Sequence, residues 1–220
     1  MLEWDMTEWT ELHSEILDTP RKKILPHLAF VKLHGFYLAG GTALALQLGH
    51  RTSVDFDFYA KDSFNAMQFE KDAVTHLKGL KITQRSAGTL IGQVRVIDLS
   101  FFHYPYPLLA PLLKTDFLDL VSVPDIAAMK LIAISQRGVR RDFLDLYVIA
   151  QKYGLDSVFE WSKKKFSQFD LHVGLKSLTY FEDAETDESG RGMELKKPVP
   201  WKKIRAFFEG EALRLARKWL

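Results

Sequence analysis

The stretch LAGGTALALQLGHRTSVDFDFY, residues 38–59, decides the fold. It opens on a short apolar strand that runs into Gly40 and Gly41. The glycines begin an apolar helix, TALALQLG, which Gly49 closes. SVDFDFY (53–59) then alternates with period two, the signature of a half-buried strand. That alternation predicts Val54, Phe56 and Phe58 on one face and Asp55 and Asp57 on the other. Carboxylates are poor strand formers, so the acidic face is either plain solvent exposure or chemistry.

The chemical reading starts from spacing. Carboxylates at i and i+2 stand about 6.5–7 Å apart along a strand, within reach of divalent ions held about 3.5–4 Å from one another. Oxygen-only ligation favours Mg²⁺ or Mn²⁺, ions that partner nucleotide phosphates. The strand–Gly40–Gly41–helix turn offers backbone N–H groups and a helix N-terminus to an anion, although turn geometry alone also calls for glycine. Thr42 is placed to cap that helix and to donate its hydroxyl to a phosphate. Ser53 either donates to a phosphate or caps the strand. A third carboxylate, Asp98, sits among apolar residues in VIDLSFF (96–102). It is either a further metal ligand from a neighbouring strand or an exposed strand residue.

Working outward, residues 7–33 read as two helices punctuated by Pro20 and Pro26, and a further helix covers 63–78. LKITQRS (80–86), TLIGQV (89–94) and VIDLSFFHY (96–104) read as successive strands. After YPYPLLAPLL (104–113) the texture turns helical. VPDIAAMKLIAISQRG (123–138) is a helix with Pro124 in its first turn and Gly138 past its end, and RRDFLDLYVIAQKYG (140–154) is a second. Lys130, Ile134 and Arg137 share a face of the first. A lysine point charge and an arginine fork there reach a triphosphate across a cleft, or simply snorkel to the surface. Asp142 and Asp145 share a face of the second helix, where one of them holds Lys130 charged and oriented or both join surface ion pairs. Residues 182–198 read as a polar surface loop, and the last 20 residues as an amphipathic helix. The layout is an α/β half over 1–110 followed by a helical half over 111–220.

The bulk numbers exclude several classes. A formal charge of +2 rules out a polyelectrolyte binder, so any RNA contact must come from local basic runs. Residues 137–141, 163–165 and 196–203, with Trp201 nearby, are candidates for an RNA-facing stripe. The absence of cysteine removes disulfides, thiolate nucleophiles and zinc ribbons, and fits a reducing compartment. The seven histidines show no metal-ligand spacing, and no Gly-x-Ser-x-Gly elbow occurs. The first residues carry acids and tryptophans rather than a basic end and apolar core, and no apolar window is long enough to span a bilayer. The expectation is a cytoplasmic protein without a membrane partner.

A glycine pair, 13 intervening residues, Asp-h-Asp (h apolar) and a later h-Asp-h strand resemble the polymerase-β-like nucleotidyltransferase superfamily. The fuller string, with Arg51-x-Ser53-x-Asp55-h-Asp57 after Gly-Gly-Thr-Ala, is similar to the AbiEii/AbiGii toxin nucleotidyltransferases. The similarity extends through YPYPLL, IAAMKLIAISQRG and RRDFLDLY, covering residues 38–147. It implies an α+β fold, a small mixed sheet with flanking helices, and a helical C-terminal region closing a cleft. It also implies metal-assisted transfer of a nucleoside monophosphate from an NTP to an RNA acceptor such as tRNA, and a toxin opposed by a separately encoded antitoxin. In that reading Asp55 and Asp57 hold the metal, joined by Asp98. Gly40, Gly41, Thr42, Arg51, Ser53 and Arg137 bind the nucleotide, and Lys130, Asp142 and Asp145 complete the catalytic set. The competing reading is an inactive nucleotide-binding or RNA-binding module of the same fold.

Overall fold

A computed structural model describes residues 12–187 and 194–219. Its seven strands are β1 (Tyr37–Ala39), β2 (Phe56–Ala60), β3 (Leu80–Ser86), β4 (Thr89–Val94), β5 (Ile97–His103), β6 (Leu113–Lys114) and β7 (Asp119–Leu120). They form one mixed sheet in the order β3-β4-β5-β2-β1-β7-β6. β2 lies at the centre, parallel to β5 and antiparallel to β1, with Asp57 opposite Ala39 on one side and Ser100 on the other. The sheet is completed by β6 and β7, which lie beyond residue 110, and β7 runs parallel to β1. One apolar core joins residues from both halves of the chain.

The helices are α1 (Thr19–Leu28), α2 (Gly40–Leu48), α3 (Ala66–His76), α4 (Val123–Arg137), α5 (Arg140–Lys165), α6 (Leu171–Ser177), α7 (Glu182–Thr186) and α8 (Trp201–Trp219). The expected second helix before residue 33 is a 3-10 turn, Ala29–His34, that follows α1 directly, and residues 7–11 lie outside the described residues. Pro124 and the Ser122 N-cap start α4 where the sequence places its first turn. α5 runs past Gly154, whose φ of 75° breaks the helix inside its span. α8 buries Ile204, Phe208, Ala212 and Leu215, the stripe expected of an amphipathic helix. Part of the expected loop at 182–198 is instead the short helix α7, and Leu195 bridges to Arg51; residues 188–193 are outside the described set.

The sheet face under α3 is held by phenylalanines. Phe36, Phe58, Phe69 and Phe101 meet with ring centroids about 5 Å apart. Each such ring removed from water contributes about 1.5–3 kcal/mol. The other face of β2 carries Asp57 and Tyr59 toward α4 and α5. The apolar half of the alternation therefore anchors the strand, and the polar half is free to build a site.

Candidate active site

A cleft of about 690 Å³ opens between the Asp57 face of the sheet and helices α4 and α5. Of the residues singled out from sequence, Gly40, Gly41, Thr42, Arg51, Ser53, Asp55, Asp57, Lys130, Arg137 and Asp142 all line it. Asp145 lies fully buried behind Lys130. Asp98 does not line the cleft: it is exposed on β5 and accepts a hydrogen bond from Gln93 Nε2 at 2.9 Å. Among the described residues no group of three carboxylates or histidines stands at metal-ligand spacing. In the β2–β5 register Ser100 lies opposite Asp57, and the charge of Asp98 still reaches Asp55.

The acidic strand also begins later than its alternation suggests. β2 starts at Phe56, and Val54 is 46% exposed rather than buried with Phe56 and Phe58. Side chains, not a strand ladder, hold the backbone just before it. The Thr42 hydroxyl donates to the Asp55 carbonyl, and Arg21 Nε donates to the Val54 carbonyl at 2.5 Å. Thr42 does not cap α2, whose N-cap is Ala39 without a side-chain bond. A hydroxyl has one hydrogen, and Thr42 gives its own to Asp55, so Ser53 is the donor in their 2.8 Å contact. In this arrangement the Ser53 hydroxyl proton is directed at Thr42.

Both glycines permit close approaches. Gly40 has φ +65°, and a Cβ there would lie 3.0 Å from Asp57 Oδ2. A Cβ on Gly41 would lie 2.2 Å from Arg51 Nη2. Gly41 is therefore required by the packing of Arg51, whatever else its N–H does. Arg51 itself grips Asp145 with a two-bond fork, Nε to Oδ1 at 2.7 Å and Nη2 to Oδ2 at 2.8 Å. Its guanidinium is largely spent on that carboxylate.

The wall opposite the acids is a closed charge network. Lys130 Nζ lies 2.7 Å from Asp142 and 2.8 Å from Asp145, so both acids of the α5 face hold it. His50 Nε2 meets Asp145 at 2.8 Å, while its Nδ1 is buried without a partner. Arg51 and Lys130 stand against Asp142 and Asp145, two cations to two anions. Burial alone would lower the Lys130 pKa, but Asp145 and Asp142 overcome it and raise it. Burial would raise Asp145, yet Arg51 and Lys130 hold its carboxyl well below the usual range.

Asp55 and Asp57 show the reverse. Burial and the charge of Asp55 push the Asp57 carboxyl up, against the pull of Lys130, Ser100 and Arg141. Burial and Asp98 push Asp55 up, against Arg141, Arg21 and Arg51. Two neighbouring carboxylates that resist ionisation, with space kept clear beside Asp57 by Gly40, are a donor set that suits Mg²⁺ or Mn²⁺. Such ions are commonly bound by one or two carboxylates plus substrate phosphates.

Four contributors were not singled out from sequence. Arg21 is buried and ties α1 to Val54 and to the Val96 carbonyl. Ser100, His50 and Arg141 join it. Arg141 lines the cleft and lowers both acids, although sequence marked it only as part of a basic run. Of the basic runs marked in the sequence, Lys163, Lys164, Lys196, Lys197, Lys202 and Lys203 are exposed, but two of the marked residues are engaged within the fold. Lys165 is fully buried against Asp125 at 2.7 Å, and Trp201 packs on Phe143 and Phe181 under Arg140.

A family model described as the nucleotidyl transferase AbiEii toxin, type IV TA system, matches residues 24–214. An uncharacterized protein from Aquifex aeolicus (strain VF5) is 38% identical over 180 residues, 79% of this chain and 84% of that protein. Among solved structures, MenT4, a nucleotidyltransferase toxin from Mycobacterium tuberculosis H37Rv, aligns with TM-score 0.58 at 16% identity, over 88% of this chain and 82% of that one. JHP933 from Helicobacter pylori aligns with TM-score 0.55 at 19% identity, over 94% of each chain. At such identities the structural likeness establishes the fold, a mixed sheet with flanking helices of the nucleotidyltransferase type.

Proposed function

The chain belongs to the AbiEii nucleotidyl transferase toxin family, and from that premise we propose that it transfers a nucleoside monophosphate from an NTP to an RNA acceptor, tRNA among them. The observation that carries this reading is the pair of carboxylates, Asp55 and Asp57, pushed up by burial while sharing a cleft with Lys130 and Arg141. Asp55 and Asp57 are the residues that would hold Mg²⁺ or Mn²⁺. When bound, that ion supplies positive charge to the triphosphate.

The chain's own groups do the rest. The backbone at Gly40 and Gly41 lies beside the phosphates at the start of α2. Lys130, fixed between Asp142 and Asp145, places a permanent charge across from the acids. Arg137 and Arg141 extend guanidinium forks into the cleft, where they neutralise charge on the departing pyrophosphate. The acceptor oxygen bonds to the α-phosphorus, the bond to pyrophosphate breaks, and the hydroxyl proton leaves to water. No protein nucleophile is required. The protein acts in the cytoplasm, where NTPs and RNA meet, and a separately encoded antitoxin restrains it.

One observation favours the competing reading, a nucleotide-binding or RNA-binding module without turnover: Asp98 stands outside the cleft. The experiment mixes purified protein, total RNA, Mg²⁺ and each labelled NTP in turn. Wild type labels RNA, and Asp57→Asn loses several kcal/mol of transition-state stabilisation, roughly 10³-fold in rate. Absence of label with all four nucleotides gives the competing reading the field.

A further inference from the structure

The acids and the arginines share the cleft with an aromatic end that begins at Tyr59, two residues beyond Asp57 on β2. Tyr59 of β2, Tyr104 and Tyr106 after β5, and Phe166 at the end of α5 line it. The rings meet in series. Tyr59 and Tyr104 are 5.1 Å apart and nearly perpendicular, Tyr104 and Tyr106 are 4.7 Å apart, and Tyr106 and Phe166 are 4.9 Å apart. The outermost ring, Tyr106, is 40% exposed. Across from them α4 offers Met129 and Ala133, one turn apart on the same face. The result is a slot with an aromatic wall and a thin apolar one.

The support beneath this wall is costly and specific. Lys165, with a fully buried side chain, donates to the Pro107 carbonyl at 2.8 Å and to Asp125 at 2.7 Å. Asp125 in turn accepts from the Leu109 N–H at 3.0 Å and the Ser122 hydroxyl at 2.6 Å. The ammonium of Lys165 lies 5.6 Å from the Tyr104 ring. Buried ion pairs are weak sources of stability because desolvation offsets attraction. Here the pair fixes the Tyr104–Leu109 segment while leaving Tyr106 open to the cleft. A ring recruited only for the core would have been buried instead.

We propose that this aromatic end seats a nucleobase by stacking, with Tyr106 as its outer ring. The inference rests on the nucleotidyl-transfer reading, since phosphates drawn to Asp55 and Asp57 bring an attached base within the same cleft as these rings. Stacking is tolerant of base identity because every base has a π-face. The base comes either from the NTP or from the end of the RNA acceptor, and binding measurements separate the two.

The experiment measures dissociation constants in Mg²⁺ for the four NTPs and for inorganic tripolyphosphate, which has no base. It compares wild type, Tyr106→Ala and Tyr106→Phe, with KM for the RNA acceptor and the melting temperature of each. The expected result is NTP binding weakened roughly 5- to 150-fold in Tyr106→Ala. Tripolyphosphate binding and melting temperature stay unchanged, and Tyr106→Phe behaves as wild type. Unchanged NTP binding with a raised KM for RNA assigns the seat to the acceptor's base. NTP and tripolyphosphate weakened alike, or no change in any ligand or in KM, overturns the seat alone. Wild-type protein that binds neither NTP nor tripolyphosphate overturns the transfer reading as well.

Discussion

Asp57 lines the cleft and Asp145 lies buried behind Lys130, and the protein treats the two acids in opposite ways. Asp145 is fully buried, gripped by Arg51, Lys130 and His50, and its carboxyl is held well below the ordinary range. Asp57 is partly buried beside another acid, and its carboxyl is pushed up. One wall has settled its charges within the fold. On the other, burial and a neighbouring acid outweigh the pull of Lys130, Ser100 and Arg141. Fixed cations on a rigid wall preorganise a site, whereas carboxylates that resist ionisation favour a bound cation.

Breaking the settled wall should have the largest effect on stability. Asp145→Asn leaves Arg51 and Lys130 short of a counter-charge, and truncating one partner of a buried pair costs about 3–5 kcal/mol. Denaturant titration at neutral pH should show that loss. The sign with pH follows from the lowered Asp145 carboxyl. Its contribution is present above the unfolded carboxylate pKa and fades as pH falls through the lower folded value. The gap between wild type and Asp145→Asn should therefore narrow in acid. Asp57→Asn should do the opposite in metal-free protein. A carboxyl whose folded pKa is raised costs stability once pH rises through the unfolded value, so its removal should add about 0.5–2 kcal/mol at neutral pH. A destabilised Asp57→Asn would erase the contrast between the walls.

Gly41→Ala tests how tightly the settled wall is packed. The new Cβ would lie 2.2 Å from Arg51 Nη2, so the guanidinium must shift off Asp145. Overpacking of this kind costs about 1–3 kcal/mol. Calorimetry should show a lowered melting temperature, and Gly41→Ala combined with Asp145→Asn should cost less than the sum of the two, because both act through Arg51.

What sequence made legible was local. Glycine punctuation and apolar periodicity are properties of neighbouring residues, so β1, α2 and α4 stand where the chain's own pattern puts them. The sharing of Lys130 with Asp142 and Asp145 is also close to local, because α4 and α5 are joined by only Gly138 and Val139. What sequence hid depended on register and on distant partners. Which β5 residue faces Asp57 turns on the alignment of two strands far apart in the chain, and it places Ser100 there. The late start of β2 depends on Thr42 and Arg21, side chains from two helices that take over the backbone bonds a strand partner would have made. A spacing pattern carries no trace of either.

Arg21 gives the finest test of the unsettled wall. It stands before residue 24, where the family match begins. Its guanidinium spans Asp18, the Val54 carbonyl and the Val96 carbonyl, fixing the residue next to Asp55. Its charge also opposes the upward push that burial and Asp98 exert on Asp55. Arg21→Gln should therefore raise the Asp55 carboxyl further, so that ionisation, and with it Mg²⁺ binding, requires higher pH. Loss of an outer partner that orients a ligand typically costs 10–100-fold, and about tenfold is expected at the acid edge of the activity profile. At high pH, where Asp55 ionises in both proteins, the two rates should converge. A rate lowered equally at every pH would mean that Arg21 supports only the backbone and leaves the charge of Asp55 untouched.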